Sequence, residues 1–310
     1  MSDDLILVTG GAGFIGSHLA EALVGAGYRV RVADDLSSGR LENLAAVMNR
    51  IEFLRTDISS FANAAAACLG CRVVFHLASL VSVAQSVSNP LESHRRTAET
   101  TLNVLEAARH RGVQRVIVAS TAAVYGNTPD LPKREDMKPN PASPYAAAKL
   151  TAEAYAQVYA HLYGLQTLSL RFFNVYGPRQ DPNSPYSGVI SRFVRAYRQG
   201  ASLTVFGDGR QTRDFVSVRD VVAGLVAAMQ TPVADGSVIN LATGQETDLL
   251  TLIDLLARIA GKRMPTEFQP ARPGDVRRSV ADVSRAKEIL GFEAKVNLEV
   301  GLRQLWESDE

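Results

Sequence analysis

Ser120, Thr121, Tyr145 and Lys149 are the residues whose types and spacing promise chemistry. Tyr145 and Lys149 are four positions apart, so on a helix they share a face and the ammonium can sit close to the phenol oxygen. A free tyrosine titrates at about pH 10, so a phenolate acting as a base at neutral pH must be favoured by about 3 pH units, or about 4 kcal/mol. One positive charge at roughly 4 Å, with an effective dielectric near 20, supplies about 4 kcal/mol. Lys149 alone is therefore of the right size. Ser120 and Thr121 follow an apolar run, Val116 to Ala119, that reads as a buried strand and would deliver hydroxyls to the same place. A lone Y-x-x-x-K also occurs on ordinary surface helices, so the surrounding elements must decide.

Those elements alternate. Leu5 to Thr9 reads as a short strand, and Gly10-Gly11-Ala12-Gly13-Phe14-Ile15-Gly16 then opens a helix to about Ala26. Such glycines allow a tight turn and close approach of backbone to a diphosphate, which the free N-H groups of the helix start would meet. A second strand, Tyr28 to Ala33, ends in Asp34, near the spacing at which a carboxylate meets an adenosine ribose diol. A carboxylate there repels a 2'-phosphate, which favours NAD over NADP. Further strands are expected at Ile51 to Arg55, ending by Asp57, at Val73 to His76, at Gln114 to Ala119 and at Gln166 to Arg171. The helices between them fall at about Ala62 to Leu69, from Asn89-Pro90 to about His110, and around Tyr145. This βα rhythm implies a Rossmann-type α/β fold, a doubly wound parallel sheet with ligands at the C-terminal strand ends.

After Arg171 the pattern loosens into a Pro- and Gly-rich loop over residues 178–188, then helices at about Ser187 to Gln199, Val218 to Gln230, Leu249 to Ala260 and Ser284 to Leu290 with short strands between. We therefore expect an NAD-binding domain over 1–172 and a smaller mixed α/β substrate lobe over 173–310, some segments of which return to the main domain. The lobe carries Gly207-Asp208-Gly209-Arg210-Gln211-Thr212-Arg213-Asp214 and Arg272-Pro273-Gly274-Asp275. Guanidinium forks in such turns suit a diphosphate.

Composition removes several classes of function. The 310 residues are 46% hydrophobic with a net charge of +1 and interspersed signs, which leaves no footprint for nucleic acid or an anionic membrane. No apolar run approaches the roughly 18 residues of a membrane span. The expectation is a cytoplasmic protein acting on a small molecule. Cys68 and Cys71 form a C-x-x-C without a second pair, and no two of the five histidines are spaced as ligands on one helical face, so no metal site is expected.

With these residues assembled, the chain resembles the extended short-chain dehydrogenase/reductase family along nearly its whole length, and within it the nucleotide-sugar 4-epimerases of the UDP-glucose and UDP-N-acetylglucosamine type. The matching stretches are Val8 to Gly16, His76 to Ala78, Ser120 to Gly126, Tyr145 to Lys149, Arg171 to Arg179, Ser184 to Ile190, Gly207 to Phe215 and Arg272 to Val276. The resemblance implies Tyr145 as catalytic base, Lys149 holding the nicotinamide ribose and lowering the phenol's pKa, and Thr121 bonded to the sugar 4-hydroxyl. It places NAD contacts at Gly10, Gly13, Phe14, Ile15, Gly16, Asp34, Asp35, Ser37, Gly39, Asp57, Ile58, Leu77, Ala78 and Phe172, with Tyr145 and Lys149. It places the UDP-sugar at Thr121, Asn174, Val189, Phe206, Arg213, Arg272, Asp275 and Ser279. It also implies a homodimer formed through the two long helices bearing Thr97 and Tyr145.

Related dehydratases carry an acid pair before the Tyr-Gly of the Thr121 loop, and related decarboxylases a glutamate; this chain has Ala122, Ala123 and Val124. Uronate 4-epimerases usually carry an arginine-bearing segment where this chain has Ser82 to Val87, which favours a neutral sugar. Ser279 stands where a tyrosine would narrow the pocket at the sugar's C2, so an N-acetyl group is expected to be accepted. Two departures stand out: Thr97 replaces an amide usual in relatives, and Thr100 a glycine. The alternatives are a UDP-glucuronate 4-epimerase, another sugar-nucleotide enzyme of the family, or an NAD-binding regulatory protein on the same scaffold.

Overall fold

The computed structural model of the protein describes residues 4–181, 188–271 and 276–308. In chain order the elements are β1 Leu5–Thr9, α1 Phe14–Gly25, β2 Arg29–Asp34, β3 Ile51–Arg55, α2 Phe61–Ala67, β4 Cys71–His76, α3 Val83–Ser88, α4 Pro90–His94, α5 Thr100–His110, β5 Arg115–Thr121, α6 Pro144–Tyr163 and β6 Gln166–Phe172. The second half contributes β7 Asn174–Tyr176, α7 Val189–Gln199, β8 Leu203–Phe206, β9 Thr212–Arg213, β10 Phe215–Ser217, α8 Val218–Gln230, β11 Asp235–Leu241, β12 Thr247–Asp248, α9 Leu249–Ala260, β13 Thr266–Gln269, α10 Ser284–Leu290 and α11 Leu298–Glu307.

Seven strands form one sheet in the order β11-β6-β5-β4-β1-β2-β3, every pair parallel. The order reverses between β1 and β4, which opens a crevice at their C-terminal ends. Strands such as β1 (LILVT, buried throughout) are near-continuous apolar runs because both faces are covered. Alternation along the strand then feeds two cores. Ile6 and Val8 join Leu19, Leu23, Val221 and Leu225 on the face under α1 and α8, whereas Leu5 and Leu7 join Ala64, Leu105, Ala152 and Ala156 under α2, α5 and α6. A third core unites α7, α9 and α11 with β8 and β10 through Phe193, Tyr197, Val205, Leu252, Leu256 and Leu302.

β11, from the second half of the chain, is an edge strand of the main sheet. The structure departs from the sequence reading in three places. α3 and α11 are helices that the sequence pattern did not single out. The expected helix from Asn89 to His110 is interrupted by a wide π turn at Arg95–Glu99. There the Thr100 hydroxyl donates to the Arg95 carbonyl at 2.9 Å, five residues back, and the Thr101 hydroxyl to the Thr97 carbonyl at 2.7 Å, so threonine side chains hold the widened turn. Finally, β5 runs two residues beyond Ala119, which makes Thr121 its last residue.

Candidate active site

The glycine turn between β1 and α1 is set by contact as well as by conformation. Gly10 has φ +67°, its N-H donates to the Ala33 carbonyl at 2.8 Å, and a Cβ there would lie 2.8 Å from the backbone nitrogen of Ala78. A Cβ on Gly16 would stand 2.3 Å from the Gly10 carbonyl oxygen. The turn is therefore pressed against the end of β4 on one side and against α1 on the other. α1 starts at Gly13 with no side-chain cap and no acidic residue in its first turn. Uncapped N-H groups behind glycines with no side chains suit a diphosphate, so the residues present fit a dinucleotide.

Asp34, at the end of β2, is 7% exposed; its Oδ2 accepts the Ala12 N-H at 2.9 Å and its Oδ1 the Leu36 N-H at 2.8 Å. Burial pushes this carboxyl above its usual range, against the pull of those two donors. A Cβ on Gly39 would meet both of its oxygens, which explains the glycine. Asp35 accepts from the backbone and hydroxyl of Ser37, and Asp57 caps the turn at Ser59 while Ile58 is buried in the core. Phe172 ends β6 and is buried.

Between turn and β4 lies a string that the sequence did not announce. The Thr101 hydroxyl, having donated to Thr97, accepts from His76 Nε2 at 3.1 Å, and His76 Nδ1 accepts from the Thr9 hydroxyl at 2.9 Å. Thr9 in turn accepts the N-H groups of Leu77 and Ala78 at 3.2 and 3.3 Å. The donor order assigns His76 as neutral with its proton on Nε2. Burial agrees, holding its pKa down to about 3 with the Lys149 charge a further cause.

α6 begins at Pro144, capped by the Ser143 hydroxyl on the Ala146 N-H, which puts Tyr145 in its first turn and Lys149 one turn on. Both are buried, at 7% and 5% exposure. Thr121 lies beside the Tyr145 phenol and acts to lower its pKa, and its own oxygen accepts the Ala123 N-H at 3.2 Å. The sequence-predicted trio is thus brought together at the C-terminal end of β5. The electrostatics differ from expectation. The Lys149 amine donates to the Ala119 carbonyl at 2.8 Å, and burial pulls its pKa down to about 8, against the pull of Glu153. Burial likewise pushes the Tyr145 phenol up to about 12, and Thr121 is the group that opposes it. Among the chain's own groups, burial is thus the main influence on the phenol.

Of the candidate substrate residues, Asn174 is tied to Asp214, which is fully buried. Its carboxylate accepts from the Thr243 N-H and hydroxyl, the Gly244 N-H and the Ala281 N-H, and its carbonyl accepts the Asn174 N-H at 3.0 Å. Burial raises its pKa, those donors opposing. This hub joins the start of β7 at Asn174, the end of β9 at Arg213 and the segment from Ser279 to Ala281, and its sequence signal was the acid before Phe215 in the Gly207 to Phe215 stretch. Arg213 donates to the Thr212 and Val276 carbonyls at 2.8 and 2.7 Å. Phe206 ends β8 and Val189 begins α7. Ser279 is half-buried, two residues before Ala281. Arg272 and Asp275 lie outside the described residues, as does part of the Ser184 to Ile190 stretch. Among the described residues no cluster of side chains could hold a metal, and no helix is long and apolar enough to cross a membrane.

A family model described as the NAD dependent epimerase/dehydratase family matches residues 6–242. A UDP-glucose 4-epimerase from Mycolicibacterium smegmatis is 43% identical over 300 residues, spanning 96% of this chain and 95% of its own. Among solved structures, a UDP-N-acetylglucosamine 4-epimerase from Methanobrevibacter ruminantium in complex with UDP-N-acetylmuramic acid superposes with a TM-score of 0.94 at 35% identity, covering 99% and 98% of the two chains. A UDP-glucuronic acid 4-epimerase from Bacillus cereus in complex with UDP-glucuronic acid and NAD superposes with a TM-score of 0.90 at 33% identity, covering 98% of each.

Proposed function

The chain belongs to the NAD-dependent epimerase/dehydratase family and is an NAD-using isomerase of UDP-sugars, and from that premise we propose that it inverts C4 of UDP-hexoses, taking UDP-Glc/UDP-Gal and UDP-GlcNAc/UDP-GalNAc. The observation that carries this reading is that buried Tyr145 and Lys149 meet half-buried Thr121 at the end of β5, beside a glycine turn fitted to a dinucleotide.

In this reading the turn from Gly10 to Gly16 and the start of α1 hold the diphosphate, Asp34 the adenosine ribose, and Lys149 the nicotinamide ribose. Bound NAD supplies a hydride acceptor that gives the hydrogen back, and, while oxidised, a positive charge that helps the phenol ionise. Tyr145 takes the C4 hydroxyl proton, directly or through Thr121, and returns it to the 4-keto sugar's oxygen once the other face has been presented. The lobe over 173–310 holds the UDP end through Asn174, Val189, Phe206, Arg213, Arg272 and Asp275, leaving the hexose free to turn. The chain returns the ketone because Ala122 and Ala123, in the turn after Thr121, offer no acid or base for elimination or decarboxylation. Half-buried Ser279 leaves room at C2 for an N-acetyl group. A homodimer through the long helices belongs to the same reading.

Purified protein incubated separately with UDP-Glc, UDP-GlcNAc and UDP-GlcA, without added NAD, tests it. Production of UDP-Gal and UDP-GalNAc is the expected result. Conversion of UDP-GlcA alone would replace the reading with a uronate 4-epimerase, and rejection of UDP-GlcNAc would remove the role given to Ser279.

A further inference from the structure

Glu153 sits on α6 one turn after Lys149 and two after Tyr145, and is 4% exposed. Both of its oxygens are engaged. Oε1 accepts a short hydrogen bond from the Ser120 hydroxyl and the Arg171 Nε at 2.9 Å, and Oε2 accepts the Arg171 Nη2 at 2.7 Å. The Arg171 guanidinium lies 4.6 Å from the centre of the Tyr125 ring, whose hydroxyl donates to Asn240 Oδ1 at 2.6 Å. One buried network therefore ties α6 to the ends of β5, β6 and β11, and it reaches Thr121 through its chain neighbour Ser120.

Stability alone is a weak reason for such a pair, because desolvating two charges offsets most of their attraction and apolar residues of equal volume usually serve as well. Charge at Lys149 is a stronger one. From its own helix Lys149 is faced by Tyr145 and Glu153, and from β4 by His76; Glu153 is faced by Arg171 from β6 and Ser120 from β5, with Tyr125 beyond the guanidinium. The buried residues of the π turn packed on α6, Thr97 and Ala98, carry no charge. Glu153 is the one carboxylate in that set. We propose that Glu153 is a positioning residue: anchored by Arg171, it is the buried counter-charge that keeps Lys149 protonated and, through Ser120, fixes Thr121 against Tyr145. The opposing pulls on Lys149, burial downward and Glu153 upward, agree with this assignment. The inference rests on the role given to Lys149 under the proposed function.

The test compares wild type, Glu153→Gln and the double variant Glu153→Gln/Arg171→Met, in the full chain with the NAD it retains. Glu153→Gln alone leaves a buried guanidinium without its partner and can fail to fold; the double variant removes both charges at similar volume. Two readings are taken on each folded protein: the pH midpoint of Lys149 from the 13Cε resonance of labelled lysine, assigned with Lys149→Arg, and the pH profile of kcat/KM on UDP-Glc. In the double variant the Lys149 midpoint is expected to fall by roughly half to one pH unit, less than the loss of one nearby carboxylate alone because the more distant Arg171 charge goes with it. The basic limb of the profile moves down with it, cutting kcat/KM at pH 8 about twofold to fivefold. A double variant whose midpoint and profile match wild type would make the pair a structural staple and overturn the proposal. The resonance reports whether or not the wild type turns over UDP-Glc, so failure of the functional reading and failure of this inference give different results.

Discussion

Replacing Gly10 with alanine tests whether the glycine turn is pressed onto β4 as described. Two costs are expected. An alanine at φ +67° pays about 1–2 kcal/mol for the left-handed backbone. Its Cβ would also stand 2.8 and 2.9 Å from the Ala78 nitrogen and Cα and 3.2 Å from the Leu77 carbonyl carbon, all backbone atoms with no rotamer to yield; overpacking of that kind adds about 1–3 kcal/mol. Gly164 separates the two terms, because it has φ +68° at the end of α6 and a Cβ there would meet nothing within 4 Å. Gly164→Ala is thus expected to lose only the backbone term, lowering Tm by about 2–4 °C, and Gly10→Ala to lose about 5–10 °C. Because the clash falls at Leu77 and Ala78, Gly10→Ala should also bind NAD more weakly than wild type, read by titrating NAD into the cofactor-free proteins, while Gly164→Ala matches wild type. Equal melting temperatures and equal NAD affinities in the two variants would refute the packing of turn on strand.

His76 gives a pH dependence with a definite sign. Its folded pKa, about 3, lies below the ordinary 6.5, so between those values the unfolded chain binds the extra proton and stability falls as the pH falls. Acidification from pH 6.5 to 5 should cost about 2 kcal/mol from this group alone. A His76→Gln variant should show a flatter decline in denaturant titrations across that range, and an unchanged slope would contradict the assignment. Cys68 and Cys71 are buried, and burial pushes their thiols up to about 12 and about 11. Neither should react with a thiol reagent at pH 8 until the chain is unfolded; rapid labelling of native protein would show that β4 and α2 open readily.

Much of this architecture was legible because each local signal agreed with the next. Leu5 to Thr9 could only be a strand buried on both faces, the glycines after it only a turn, and Tyr145 and Lys149 shared a helical face once Ser143-Pro144 had started the helix. What escaped the sequence depended on long-range pairing or on burial. β11 reads as a short isolated strand until β6 is found beside it. Thr100 looked like an unfavourable replacement for glycine, but its hydroxyl holds a π turn that no periodicity announces. Glu153 was within reach of inference, since Tyr145, Lys149 and Glu153 repeat at intervals of four, yet its partner Arg171 is eighteen residues away on a strand. The burial that pushes the Tyr145 phenol up was not legible either, because spacing reports which charges are near but not how much water has been excluded.

Turnover by Tyr145→Phe, measured on UDP-Glc beside wild type with NAD content and Tm followed in parallel, bears most directly on the central claim. Loss of at least about 100-fold in kcat, the usual scale for a missing acid-base group, with cofactor retained and Tm unchanged, is the predicted result. Epimerisation near the wild-type rate would contradict it.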